Sequence, residues 1–186
     1  MSANRRALAV GVAAFALAGG VALAGRGEWD SARWFAQATG WAAALCLLGT
    51  IAMTPLGSRG ARWRRPLGIT SALLATAHFA LAFGGPLQAA WTPLWTWPYL
   101  RAGLLALALL LALLTTSFST VLKRFRVKHW KTLHRLSYAV AILVVQHLFG
   151  TPAASRVWVL VFLAALVVLL VARGVRWVFR RRRAAQ

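Results

Sequence analysis

The sequence predicts an all-α membrane protein: a bundle of six transmembrane helices, with both termini cytoplasmic. Three observations predict it. Only 13% of the 186 residues are charged and 60% are hydrophobic, whereas a soluble domain carries about 25% charged residues. The apolar residues gather in uncharged runs of about 18 or more, enough at 1.5 Å rise per residue to cross a hydrocarbon core of about 30 Å. The positive residues fall in the short segments between those runs, alternating heavy and light along the chain.

The elements follow in order. The first helix is expected over 6–25, behind Arg5 and Arg6, and the second over 37–56, closed by Pro55 and Gly57. The third is expected over 66–84, with Pro66 at its start, where a missing N–H costs nothing. Gly84, Gly85 and Pro86 separate it from the fourth, 99–119. The fifth is placed at 130–149, and Gly150, Thr151 and Pro152 part it from the sixth, 155–174. Together these make one domain over 1–186, with a core at 37–174 and a basic cytoplasmic tail at 175–186. Arg5 and Arg6 followed by an apolar run and Ala22-Leu23-Ala24 also look like a secretory signal with its cleavage site. The run exceeds the usual apolar region of about 7–15 residues, so the segment is expected to be retained.

Placing the N-terminus inside leaves only Arg26, Arg33, Arg101 and Arg156 of the 22 Lys and Arg residues outside. That asymmetry sets the orientation by the positive-inside rule. It also removes nucleic acid as the explanation of a net charge of +20, because the charge marks loops and forms no binding face. The expected partner of the surface is the lipid bilayer. Trp91, Trp95, Trp97 and Tyr99 precede the fourth helix and read either as an interfacial aromatic belt or as a lid and docking surface on the outer side. Cys46 is alone in its apolar run, so it makes neither an intrachain disulfide nor a metal site by itself.

Three of the four histidines, His78, His134 and His147, fall inside expected spans, where ionisable groups are costly and usually functional. His129 lies in a basic cytoplasmic segment. A structural role, hydrogen bonding to a neighbouring helix, is the plainest reading for a single buried His. A proton relay would more naturally include a carboxylate, and both acidic residues, Glu28 and Asp30, lie outside the spans. Zinc is disfavoured because neither Cys nor carboxylate accompanies the imidazoles at ligand spacing. Haem remains, since it takes a neutral imidazole on its iron and suits an apolar pocket. Thirteen residues separate His134 from His147. On one straight helix that is a rise of about 20 Å and a turn of about 140°, so the two rings require tilt, a bend, or haems gripped from different sides. Gly68, Ser71, Ala75, His78, Ala82 and Gly85 form one stripe of the third helix. The stripe serves close helix packing, or leaves room for a flat macrocycle beside the imidazole.

The segments MTPL (53–56), RRPLGI (64–69), ATAHF (75–79), WPYL (97–100) and WKTLHRLSY (130–138), followed by His147, resemble the MsrQ (YedZ) family in their order and spacing. That family is the haem-binding membrane subunit of the bacterial periplasmic methionine-sulfoxide reductase system, within a ferric-reductase-like transmembrane group. The resemblance implies a six-helix b-type cytochrome of the bacterial inner membrane with haem in its core. It implies electron transfer from the quinone pool to a periplasmic molybdenum-containing partner that repairs oxidised methionines. Such a chain is an electron-transfer subunit rather than a complete enzyme. One or two haems b are implied, and FMN is associated with some members. By matching motifs, His78, His134 and His147 stand where the family has its haem- and iron-ligating histidines, and His129 falls where none is expected.

The wider group carries two histidines on each of two helices, whereas the third helix here offers only His78. His78 and His147 lie at comparable depth and are expected to share one iron, leaving the ligand opposite His134 undetermined. Arg64 and Arg65 are placed to neutralise haem propionates at the cytoplasmic edge, or serve only as positive-inside anchors. The competing readings are another ferric- or quinone-reductase-type cytochrome, and a small non-redox transporter with structural histidines.

Overall fold

A computed structural model describes residues 3–24, 31–53, 57–117, 130 and 132–184. Its elements are helices: α1 (Ala3–Ala24), α2 (Ser31–Ala52), α3 (Gly57–Gly84), the short α4 (Thr92–Thr96), α5 (Pro98–Thr115), α6 (Leu136–Gly150) and α7 (Arg156–Ala184). Four helices are long and apolar enough to cross a membrane, namely Ser31–Ala52, Arg62–Gly84, Pro98–Thr115 and Arg156–Arg176. Leu8–Gly20 and Leu136–Gly150 are shorter apolar helices.

The bundle is built from two helix pairs. α2 packs most extensively on α3, and α5 on α6; α1 covers the α2–α3 pair, and α3 meets α5 between the pairs. α2 is the central helix: 56% of its apolar window is buried, against 17–22% for the other three long ones. Its sequence explains this. Ala36, Ala38, Ala42, Ala43 and Ala44 are buried, and such small side chains let neighbouring backbones approach closely where lipid leaves little hydrophobic drive for association. One apolar cluster gathers Leu47, Ala72, Leu110, Val140 and Leu166 from five helices. A second joins Ala18, Trp41, Leu148 and Phe162, with Trp41 edge-on to Phe162 at 6.4 Å between centroids. Large apolar residues such as Leu73, Leu105, Ile142 and Val168 are exposed at 57–65%, the outward pattern of a lipid-facing surface.

Two expectations are corrected. Pro66 does not start a helix: α3 begins at Gly57 and runs through it. The basic turns 57–65 extend the helix beyond its apolar part, and a proline is tolerated inside a membrane helix because neighbours re-satisfy the freed carbonyl. The fifth helix is not continuous over 130–149, because α6 starts only at Leu136. The chain turns at His134–Arg135, where Tyr138 N–H bonds the Arg135 carbonyl at 3.0 Å and the Ser137 hydroxyl donates to the His134 carbonyl at 2.9 Å. These short-range bonds replace the α-helical ladder at that point. The Pro55 boundary, His129 and the acidic residues Glu28 and Asp30 lie outside the described residues.

At the opposite end, α3 closes with Gly85, Leu87 and Ala89 N–H groups bonded to the Leu81, Ala82 and Phe83 carbonyls. Gln88 (φ 48°) and Ala89 (φ 56°) adopt the left-handed conformation to do so. The tryptophan-bearing segment then forms α4, with Trp91, Trp95 and Trp97 exposed.

Candidate functional site

The site lies between the two helix pairs, at the end where α3 and α6 finish and α2 and α5 begin. His78 is six residues before the end of α3, and His147 is three before the end of α6. Their rings face each other at 6.0 Å between centroids, with 75° between the planes. Nδ1 of His78 lies 2.7 Å from the Ala36 carbonyl oxygen on α2. Nδ1 of His147 lies 2.9 Å from the Tyr99 carbonyl oxygen on α5. A carbonyl can only accept, so each Nδ1 carries the proton and donates it there, which leaves Nε2 of the neutral ring as the lone-pair nitrogen.

Both rings line a cavity of about 840 Å³, within the range of about 300–1,000 Å³ usual for cofactor sites. Its wall is mostly apolar, with Leu47, Ala75, Ala82, Leu107 and Val144 among the lining residues, and Arg33, Gln37 and Thr151 as polar members. The Gln37 amide donates to the Ala153 carbonyl at 2.7 Å, tying α2 to the segment before α7.

Two imidazoles alone do not satisfy zinc, which takes three or four protein ligands. Among the described residues no group of three or more His, Cys, Asp or Glu is arranged for a metal ion. A haem brings four equatorial nitrogens of its own and needs only axial ligands. Two imidazoles 6.0 Å apart between centroids, at an apolar cavity of about 840 Å³, are the donor set and surroundings that such a group would need. The residues present fit the group.

The other expected site residues lie elsewhere. His134 does not line this cavity. Its ring packs on Trp130 at 4.2 Å between centroids, and Nε2 lies 3.5 Å from the Thr116 hydroxyl. Arg64 is close enough to His134 and Arg173 for its charge to act on both, and Arg173 in turn sits over the Tyr138 ring at 4.7 Å. Arg64 Nε is buried without a hydrogen-bond partner, while Arg65 is exposed. Neither arginine lines the cavity of His78 and His147. Thirteen residues of α3 separate Arg65 from His78, a rise of about 20 Å, so any propionate role for the arginines belongs to the His134 end.

The small-residue stripe of α3 packs against α2 and contributes to the cavity wall. The Ser71 hydroxyl donates to the Ala43 carbonyl at 2.9 Å, fixing α3 against α2, while Ser71, Ala75 and Ala82 also line the cavity beside His78. Sequence reasoning did not single out Gly40 on α2 or Gly103 on α5, against which the two rings rest. The available signal was a glycine inside an apolar helix, where it costs about 1 kcal/mol relative to alanine.

A bundle of helices, four of them long and apolar enough to cross a bilayer, belongs to the class of all-α membrane proteins. Residues 39–145 match the family described as ferric reductase like transmembrane component, and the chain belongs to that family. It is also similar to proteins named protein-methionine-sulfoxide reductase heme-binding subunit MsrQ. The one from Pectobacterium atrosepticum is 34% identical over 152 residues, 76% of this chain and 76% of the relative. The one from Deinococcus radiodurans is 35% identical over 117 residues, 59% of this chain and 58% of the relative. The magnetosome protein MamZ of Paramagnetospirillum magneticum is 31% identical over 121 residues, 63% of this chain but 19% of that protein. The chain thus spans between about half and three quarters of the MsrQ relatives it matches. No solved structure matches it.

Proposed function

We propose that the chain is a b-type cytochrome of the bacterial inner membrane, an electron-transfer subunit in which His78 and His147 are the axial ligands of one haem. Six helices cross the bilayer, α1 and α6 among them, with both termini cytoplasmic. The observation that carries the reading is the pair of opposed imidazoles, each with Nδ1 committed to a backbone carbonyl and Nε2 left to ligate. An iron held there would supply one-electron chemistry. The chain's own residues hold the rings at fixed spacing and keep the wall mostly apolar.

In this orientation the cavity lies toward the outer leaflet, beneath α4 and its tryptophans, and the His134–Arg64 end faces the cytoplasm. The names of the relatives support a place in methionine-sulfoxide repair. Electrons then pass from membrane quinol to a periplasmic molybdenum-containing reductase subunit that docks near α4. The His134 end, with Arg64 beside it and Arg65 next in sequence, is the place for a second haem's propionates or for the phosphate of FMN. No C-x-x-C-H occurs in the sequence, so the haem is held without thioether bonds.

Purified protein should show a Soret band and, by pyridine haemochrome, stoichiometric haem b. A colourless protein would refute the reading in favour of a transporter with structural histidines. Quinol should reduce the haem, and the periplasmic reductase with a methionine sulfoxide should reoxidise it. Reduction only by NADPH with a soluble flavoprotein would overturn the route and leave a different reductase-type cytochrome.

A further inference from the structure

We infer that Gly40 and Gly103 are positioning residues, each forming the notch that seats one imidazole against a carbonyl and fixes Nε2 as its ligating nitrogen. The two-histidine site is then one half-site built twice. The inference rests on the haem reading and deepens it.

The two halves correspond atom for atom. A Cβ at Gly40 would stand 2.8 Å from His78 Nδ1 and 3.0 Å from its Cε1. A Cβ at Gly103 would stand 2.7 Å from His147 Nδ1 and 3.0 Å from its Cε1. Real Cβ atoms essentially never come within 3.0 Å of such a neighbour. In each half the acceptor carbonyl belongs to the residue four positions before the glycine: Ala36 before Gly40, Tyr99 before Gly103. That spacing puts carbonyl and notch one turn apart on the same helix face. Each carbonyl takes the histidine proton alongside the helix's own N–H, and the Ala36 carbonyl also lies 2.9 Å from the Thr39 hydroxyl. In each half the first helix leaves the cavity end and the second returns to it, α2 with α3 and α5 with α6.

Ordinary close packing does not account for the pattern. Gly49 meets the flexible end of Leu67 at 3.4 Å, and Gly68 meets Thr50 at 4.0 Å. Gly20 and Gly84 have nothing within 4 Å. Among the described glycines, Gly85 and Gly150 are also tight, against the Leu81 carbonyl and Tyr99, but the two with an imidazole inside 3.0 Å are those that face the two cavity histidines. A bulkier residue would drive the ring off its carbonyl or off the iron, since the ring is pinned at both nitrogens.

The test uses the full-length holoprotein in detergent, comparing Gly40→Ala and Gly103→Ala with Gly20→Ala. Haem content, the low-spin electron paramagnetic resonance signal and the midpoint potential are read together, with helix content by circular dichroism. Each site variant should keep its helices, shift the potential and weaken low-spin haem binding about 10–100-fold, the usual loss when a group orienting a metal ligand is removed. Gly20→Ala should match the parent. A parent that binds no haem overturns both the haem reading and this inference. A parent with low-spin haem, and site variants with the same signal, potential and affinity, overturn this inference alone.

If Gly40→Ala fails to fold, His78→Gly and His78→Gly/Gly40→Ala remove the overlapping ring. Added imidazole should restore the low-spin signal in the first and need at least about 10-fold higher concentration in the second. Equal imidazole requirements, or a double variant that still fails to fold, would show that the glycine answers to something other than the ring.

Discussion

Gly150→Ala tests how tightly the bundle defines the His147 half of the site. A Cβ at Gly150 would stand 2.1 Å from Tyr99 Cβ and 2.6 Å from its Cγ. Tyr99 Cβ sits on the backbone, so no rotamer change relieves the overlap, and the end of α6 must move off the start of α5. Ordinary contact begins at 3.4 Å. Reaching it takes a displacement of about 1.3 Å, from 2.1 to 3.4 Å, which stretches the 2.9 Å bond from His147 Nδ1–H to the Tyr99 carbonyl beyond hydrogen-bonding range. Three effects compete. Alanine gains about 1 kcal/mol over glycine in helix propensity. Overpacking costs about 1–3 kcal/mol. The lost hydrogen bond costs about 0.5–1.5 kcal/mol. The losses win, giving a net destabilisation of about 0.5–3.5 kcal/mol. At about 2–4 °C per kcal/mol for a chain of this size, the midpoint should fall by several degrees, up to about 14 °C. Thermal melts of the purified protein, followed by circular dichroism and by low-spin haem absorbance, measure both consequences. An unchanged or higher midpoint with unchanged haem absorbance would refute the close approach of α5 and α6.

His78→Ala and His147→Ala should each abolish the same low-spin haem signal, because each removes one ligand of a shared iron; loss in only one variant contradicts the pairing. His134→Ala should leave that signal intact and affect only a separate or lower-occupancy haem, and His129→Ala should leave the absorbance spectrum unchanged. Acid acetone should extract the cofactor completely, and haem that stays with the polypeptide would disprove non-covalent binding. Ser71→Ala, which deletes the buried hydroxyl bonded to the Ala43 carbonyl, should cost about 0.5–1.5 kcal/mol in a denaturation assay. A neutral result would mean that the α2–α3 contact stands on packing alone.

The sequence by itself determined the helices, the glycine and proline breaks between most of them, and which histidines to suspect. These are local properties: the length of an apolar run, the absence of charge and the punctuation of Gly84, Gly85 and Gly150 are legible without knowing any neighbour. The similar depth of His78 and His147 was legible too, because rise along a helix is fixed. The tertiary structure alone decided which faces meet. The turn at His134–Arg135 depends on Trp130 reaching the Thr116 carbonyl and packing on His134, contacts that no periodicity encodes. It also removed the angular conflict between His134 and His147, since the two do not share one straight helix. The roles of Gly40, Gly103 and the Ala36 and Tyr99 carbonyls were not legible in the sequence for a related reason. A glycine lacks a side chain to signal its purpose, and a backbone carbonyl is present at every residue. Only the approach of another helix gives either one a role.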